Sequence, residues 1–296
     1  MSEIELLKPK IDVVFHALFR RSNNELLEAM LSTILESDVK IVNNLDRHLN
    51  IISANEKLGV MDLRVQFEDG TYCNVEIQLK PYKYENERFL YYLANTYSRQ
   101  LERGNTYEKI HKTISIIIVD YETEILKGLE NLNVRWQMRD NATGSRILTD
   151  RFELVIMELP KAKRIYMNKN QDKVSQWLMF LDNPNSEEVV KIMNENNDIK
   201  KAHEELKQVS GDYELRRIAE LKEKYIRDEA AALEYAIEKG QKEGVEKGIQ
   251  QGIQQGIEQG KNEAKKEVAK NMLKLGIELD IISKTTGLTK EEILKA

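Results

Sequence analysis

VMDLRVQFEDGTYCNVEIQLK, residues 60–80, is the stretch whose reading decides the fold. Met61, Leu63, Val65 and Phe67 alternate with Val60, Asp62, Arg64 and Gln66, the period-2 pattern of a half-buried strand. After Glu68-Asp69-Gly70-Thr71 the alternation resumes. Cys73, Val75, Ile77 and Leu79 are apolar, while Asn74, Glu76, Gln78 and Lys80 are polar. Two such runs around a glycine-containing turn predict a hairpin.

The apolar faces of both strands must lie on one side of the sheet, because a one-residue slip turns every side chain over. A two-residue loop at Asp69-Gly70 would pair Asp62 with Ile77 and mix the faces. A three-residue loop, Asp69-Gly70-Thr71, pairs Asp62 with Gln78 and Arg64 with Glu76, and Gly70 supplies the positive φ such a loop needs. On this register Asp62, Glu76 and Gln78 are near neighbours on one face. Two carboxylates and an amide there suit a hard divalent cation, which takes oxygen ligands. The same residues also read as a solvated polar face, or as carboxylates in a salt bridge to Arg64.

These residues resemble the active-site signature of the PD-(D/E)XK nuclease superfamily, in particular its Rpn-type, transposase-like branch. Leu7-Lys8-Pro9-Lys10-Ile11-Asp12, followed by Val14-Phe15 and Leu18-Phe19, is similar to that family's opening. Val75-Glu76-Ile77-Gln78, then Tyr91-Tyr92, Tyr97, Gln100-Leu101, Gly104 and Tyr107, is similar to its middle, and the glycine-spaced charged tail also resembles it. The resemblance implies an α/β fold: a restriction-endonuclease-like αβββαβ core with a mixed sheet, followed by an extended α-helical C-terminal region. It implies Asp62 and Glu76 as ligands for Mg²⁺ (or Mn²⁺), with the backbone carbonyl of Ile77 as a third. The next signature position is often Lys in the superfamily. Here it is Gln78, which can orient a water by hydrogen bonding but carries no charge. Lys80, two residues on, could replace that charge, and Asp12 is a further acidic candidate, its other reading being a helix N-cap.

The chain has 296 residues, enough for a full core with appendages. Apolar residues make up 41% and charged residues 32%, which calls for long solvated helices. A net charge of -5 gives no support for a globally basic nucleic-acid binder, so any phosphate-binding surface must be local. Cys73 is the one cysteine, which excludes a disulfide within the chain and points to a reducing compartment. The N-terminus lacks an apolar signal core and no run approaches a membrane span, so a soluble, cytoplasmic protein is expected.

Val13, Val14, Phe15, Leu18 and Phe19 have helix spacing after Asp12, and a second helix is predicted from Asn24 to Glu36. Residues 39–52 read as a first strand. A helix is predicted from Glu85 to a C-cap at Gly104. Thr113 to Asp120, TISIIIVD, is a continuous apolar run expected of a central strand covered on both faces. Residues 134–138 and 152–159, the latter stopped by Pro160, read as strands that extend the sheet. Beyond residue 172 the chain turns helical, with amphipathic helices over 186–209 and 212–239. The division expected is a nuclease-like domain over 1–183, a helical region over 184–238, a repeat segment over 239–261 and a small helical module over 262–296.

Residues 239–261, KGQKEGVEKGIQQGIQQGIEQGK, repeat with a period of four. Gly240, Gly244, Gly248, Gly252, Gly256 and Gly260 form one stripe of a helix, and Val245, Ile249, Ile253 and Ile257 form its neighbour. Each interior Gly costs about 1 kcal/mol relative to Ala, roughly 6 kcal/mol for all of them. Close packing against a second copy would offset that, making a homo-oligomer through the C-terminal helices; a flexible spacer is the other reading. The end of the chain reads as three short helices: one ended by Gly276, one ending at Gly287, and one capped by Thr289 with Glu292 three residues on. They resemble a helix-turn-helix; a helical end-cap or assembly piece is the other reading.

Arg88, Tyr92, Asn95 and Arg99 fall on one helical stripe, and Arg88, Tyr92 and Arg99 are candidate DNA contacts. So are Lys161, Lys163 and Arg164 in KAKRIYMNKNQDK, residues 161–173, which has five cations against one Asp. The four histidines show no paired ligand spacing. The function expected is a metal-dependent DNA endonuclease linked to recombination or transposition. The alternative is a non-catalytic DNA-binding or self-assembling scaffold with a degenerate nuclease core.

Overall fold

The computed structural model describes residues 5–21, 24–45, 63–102, 104–169 and 172–295. The chain divides into two compact units, residues 1–224 and 225–296. In the first, helices α1 (Asp12–Arg21) and α2 (Glu25–Leu35) precede strands β1 (Ile41–Asn44), β2 (Leu63–Phe67) and β3 (Tyr72–Gln78). Helix α3 (Glu85–Ser98) leads to β4 (Thr113–Val119), and β5 (Val134–Gln137) and β6 (Phe152–Glu158) complete a six-stranded sheet of order β1-β2-β3-β4-β6-β5. β3, β4 and β6 are parallel, and the other pairings are antiparallel. This is the expected αβββαβ core, extended by two strands.

The two faces of the sheet have different covers. Val65, Cys73, Val75, Ile116, Ile118 and Val155 pack under α1, α2 and α5 (Lys173–Asp182), where Phe15, Phe19, Trp177 and Phe180 fill the main core. On the other face Ile117, Val119 and Ile156 lie under Phe89 and Leu93 of α3. β4 is buried along its whole length because both faces are covered.

The hairpin register differs from expectation. Leu63 lies across from Val75, Arg64 from Asn74, and Gln66 from Tyr72. The loop is Glu68-Asp69-Gly70, closed by the Phe67 N–H donating to the Thr71 carbonyl at 2.9 Å. Arg64 therefore does not face Glu76. The cause is local: Asp69 Oδ1 accepts from the Thr71 N–H at 2.9 Å, an Asx turn that draws Thr71 into the strand, while Gly70 takes φ +85°. The shift is by two residues, so the faces are preserved.

Other boundaries moved for similar reasons. α3 ends at Ser98 rather than at Gly104, because the Gln100 side chain is engaged by the His111 backbone N–H (2.8 Å) and by Thr113 Oγ1 (2.7 Å). Strand β6 ends at Glu158, just before Pro160 as expected, and Pro160 stands in the first turn of a helix, α4 (Leu159–Lys169), where its missing N–H costs nothing. Residues 186–209 form two helices, α6 (Glu187–Glu195) and α7 (Asn197–Ser210), separated at Asn196, whose side chain caps the second by accepting from the Asp198 and Ile199 N–H groups.

Tyr213–Lys274 is one helix, α8, so the glycine repeat is helical throughout. Its first turns belong to unit 1, where Leu215 and Ala219 join the core. In unit 2, α8 is followed by α9 (Leu279–Thr286) and α10 (Lys290–Lys295), which enclose Ala269, Ile282, Leu288 and Ile293. The capping box is formed: Thr289 N–H donates to Glu292 Oε2 at 2.8 Å, and Glu292 N–H to Thr289 Oγ1 at 3.3 Å. Among the described residues no helix is long and apolar enough to cross a membrane.

Candidate active site

β3 carries Asn74, Glu76 and Gln78 on its α3-facing side. All three are buried, on the sheet face that α3 packs against through Phe89 and Leu93. Glu76 is 1% exposed. Its Oε1 accepts from Gln78 Nε2 at 2.7 Å, and Arg88 Nη2 approaches the same oxygen to 3.7 Å. Burial pushes the Glu76 carboxyl up; the Gln78 hydrogen bond and the Arg88 and Arg64 charges oppose that. Glu76 Oε2, Gln78 Oε1 and Asn74 Oδ1 have no hydrogen-bond partner among the described residues. A buried acceptor without a donor is costly and uncommon in a folded protein. Oxygens of this kind are the ligands a hard divalent cation takes, so the residues present fit one.

Asp62 lies outside the described residues. Among the described residues no three His, Cys, Asp or Glu side chains gather into a metal cluster. The Ile77 side chain points to the opposite face and packs against the main core. Gln78 is further tied down through its backbone, its carbonyl accepting from the Asp120 N–H at 2.9 Å.

The other sequence candidates divide. Arg88 joins the site: its guanidinium is 4.3 Å from the Tyr82 ring centroid and 5.4 Å from that of Tyr92. Lys80 Nζ lies 5.3 Å over the Tyr82 ring. Arg99 is the exposed C-cap of α3. Asp12 heads α1, its Oδ1 accepting from the Val13 N–H and its Oδ2 bound by Lys222, so its charge is already matched. Lys161 is buried, 2.8 Å from Glu158 Oε2, and is not on the surface where a DNA contact would need it. Lys163 pairs with Glu188 at 2.7 Å, and Arg164 is exposed.

Sequence reasoning missed two arrangements at the C-terminal ends of the parallel strands. Lys10 bridges Asp120 (2.8 Å) and Asp182 (2.6 Å), joining the start of α1, the end of β4 and the end of α5. Glu158, beside Val119 in the sheet, accepts from Thr123 N–H and Oγ1 at 2.6 and 2.9 Å. Lys10 stands in the opening motif, which was the available signal; nothing in the spacing of Glu158 and Thr123 pointed to their meeting. A cavity of about 410 Å³ lies at the other end of the sheet, lined among others by Lys40, Thr71, Lys112 and Arg135, and shares no residue with the Glu76 cluster.

A family model described as PD-(D/E)XK nuclease family transposase matches residues 9–236. The chain belongs to this family. A second model, described as the C-terminal HTH domain of the Rpn/YhgA-like nuclease family, matches residues 262–296, which take in the end of α8 with α9 and α10. No curated protein and no solved structure matches the chain. Membership supports a nuclease or transposition-related function, and the nuclease and HTH matches together imply DNA binding. Nucleases of the PD-(D/E)XK type generally use divalent metals.

Proposed function

We propose that this family member hydrolyses phosphodiester bonds in DNA as a Mg²⁺- or Mn²⁺-dependent endonuclease, in recombination or transposition. The observation that carries this reading is the buried Glu76, held by Gln78 and Arg88, with Oε2 left without a donor among the described residues. Glu76, Asp62 and the Ile77 carbonyl would hold the cation. When bound, the ion would lower the pKa of a water and offset charge on the leaving oxygen. Gln78 Oε1, without a donor among the described residues, would accept a hydrogen bond from that water and so orient it. Arg88 supplies the positive charge that Gln78 lacks.

The C-terminal module binds DNA in this reading, and α8 self-associates through its glycine stripe. The test is plasmid cleavage with Mg²⁺ or Mn²⁺ added to metal-stripped protein. Metal-dependent nicking that is lost in Asp62→Ala and in Glu76→Gln supports the assignment; equal nicking by either variant defeats it.

One observation favours the second reading, a scaffold that binds DNA without cutting it. Glu76 Oε1 is already taken by Gln78, an amide where the superfamily often has Lys. DNA retardation without cleavage under any metal would establish it.

A further inference from the structure

Residues 80–92, KPYKYENERFLYY, leave β3 and enter α3 with four tyrosines and three cations. Arg88 and Tyr91 are three residues apart on α3, and Tyr84 is the residue just before its first turn. Tyr84 is 67% exposed and Tyr91 66%. Between them, Arg88 reaches down to Glu76, and the Tyr82 ring stacks on its guanidinium. Lys83 Nζ lies 5.0 Å over the Tyr84 ring, and Tyr91 meets Tyr92 edge to face at 5.7 Å.

Tyr84 is also strained. It caps α3 at φ 67° and ψ 39°, the left-handed region that Gly or Asn enters easily and a bulky ring does not. Its side chain makes no capping hydrogen bond, and its ring is outside both hydrophobic clusters of unit 1. Among the described residues, no hydrophobic cluster holds the ring in place. Strain kept beside a candidate active site points toward a ligand.

We propose that Tyr84 and Tyr91 form a ledge that stacks the unpaired bases of a DNA strand, with Lys83 and Arg88 against its phosphates, so that the site favours unpaired stretches over fully paired DNA. Ring faces are sequence-tolerant platforms for splayed bases, and a duplex hides those faces in its own stack. The segment's three cations are offset by Glu85 and Glu87, so stacking rather than net charge must carry the preference. The substrate assignment rests on the nuclease reading above; the binding itself does not.

The test uses the full chain in EDTA, so that no cleavage enters. Anisotropy would be read with a labelled 20-nucleotide strand, the same strand with central abasic sites, its duplex and its RNA counterpart. The wild type is expected to bind the intact strand roughly five-fold or more tightly than the abasic one. Tyr84→Asn/Tyr91→Leu should remove that difference and leave duplex binding within two-fold, roughly the scatter expected for a site that duplex does not use. Asn suits the left-handed position, and an unchanged circular dichroism melt would confirm folding. Equal wild-type affinity for intact and abasic strands overturns the proposal whatever the variants do. So does a variant that keeps the preference, or tighter binding of the RNA strand. If the proposal fails, plasmid cleavage by the wild type still stands or falls separately.

Discussion

Gln78 donates its side-chain amide to Oε1 of Glu76 at 2.7 Å, both groups buried beneath α3, and neither Glu76 Oε2 nor Gln78 Oε1 finds a partner among the described residues. The hydrogen bond fixes which oxygens point away from each other. It leaves on this strand face a pair of acceptors without a donor among the described residues. A neutral amide satisfies a carboxylate without cancelling its charge, which is left to Arg88.

Glu76→Gln therefore separates function from stability. It removes a buried charge while keeping size and hydrogen-bonding capacity. Cleavage should fall by more than the roughly 10–100-fold typical of losing an outer-shell partner of a metal. Stability in EDTA should hold or rise by about 1 kcal/mol, since an incompletely paired buried carboxylate costs free energy. Urea melts and plasmid nicking on the same preparation check both halves. A variant that loses activity by unfolding would contradict the prediction.

Arg88→Met should destabilise by about 1–2 kcal/mol, less than a fully buried pair because the guanidinium is partly in water. The loss should nearly vanish in a Glu76→Gln background, because the charge that Arg88 faces has gone. A double-mutant cycle measures this coupling. Additive effects would show that Arg88 is held by Tyr82 and Tyr92 and not by Glu76. Arg88→Lys keeps charge but loses the stacked plane, and should recover activity only in part.

How much of this was legible varied with the physics involved. Alternation over residues 63–67 and 72–78 marked the hairpin, and the continuous apolar run of β4 marked a strand covered on both sides. Both signals come from the chain's own period. The register did not, because Asp69 capturing the Thr71 N–H is a side-chain event that alternation cannot see. Glu76, Gln78 and Arg88 were legible as candidates one by one. That Glu76 and Gln78 share a face was also legible; the arrival of Arg88 at Glu76 was not, since it depends on how α3 packs on the sheet. Lys161 misled for the opposite reason: a lysine in a basic run looks exposed until β6 delivers Glu158 beneath it.

That buried pair makes its own prediction. Burial works to raise the Glu158 carboxyl, but the Lys161 ammonium and the two Thr123 donors hold it below its ordinary value of 4.5. A depressed folded pKa contributes stability above the unfolded pKa, and that stability is lost as pH falls through the folded value. Lys161→Met should cost about 3 kcal/mol at pH 7, because it strands a buried carboxylate. The wild-type advantage should then shrink as pH drops below 4.5. Its salt slope for DNA binding should match the wild type, whereas Arg164→Ala should lower the slope by about 1 if that exposed cation meets a phosphate. Denaturant melts from pH 3 to 7 and titrations at several salt concentrations test these outcomes.

The glycine stripe of α8 offers a prediction in which stability and assembly move in opposite directions. A Cβ built on Gly248, Gly252 or Gly256 meets nothing within 4 Å, and Ile249, Ile253 and Ile257 beside them are more than half exposed. In a single chain, replacing the three glycines by Ala should stabilise the helix by about 2–3 kcal/mol, since Ala is the better helix former. If two copies pack their glycine stripes together, the same methyl groups hold the backbones apart and weaken association. The triple Ala variant should therefore show greater helicity and a higher melting temperature for α8 at low concentration, together with a light-scattering mass that falls toward one chain. An unchanged multimeric mass would place the self-association elsewhere, and a wild type that is already a single chain would remove the need for it.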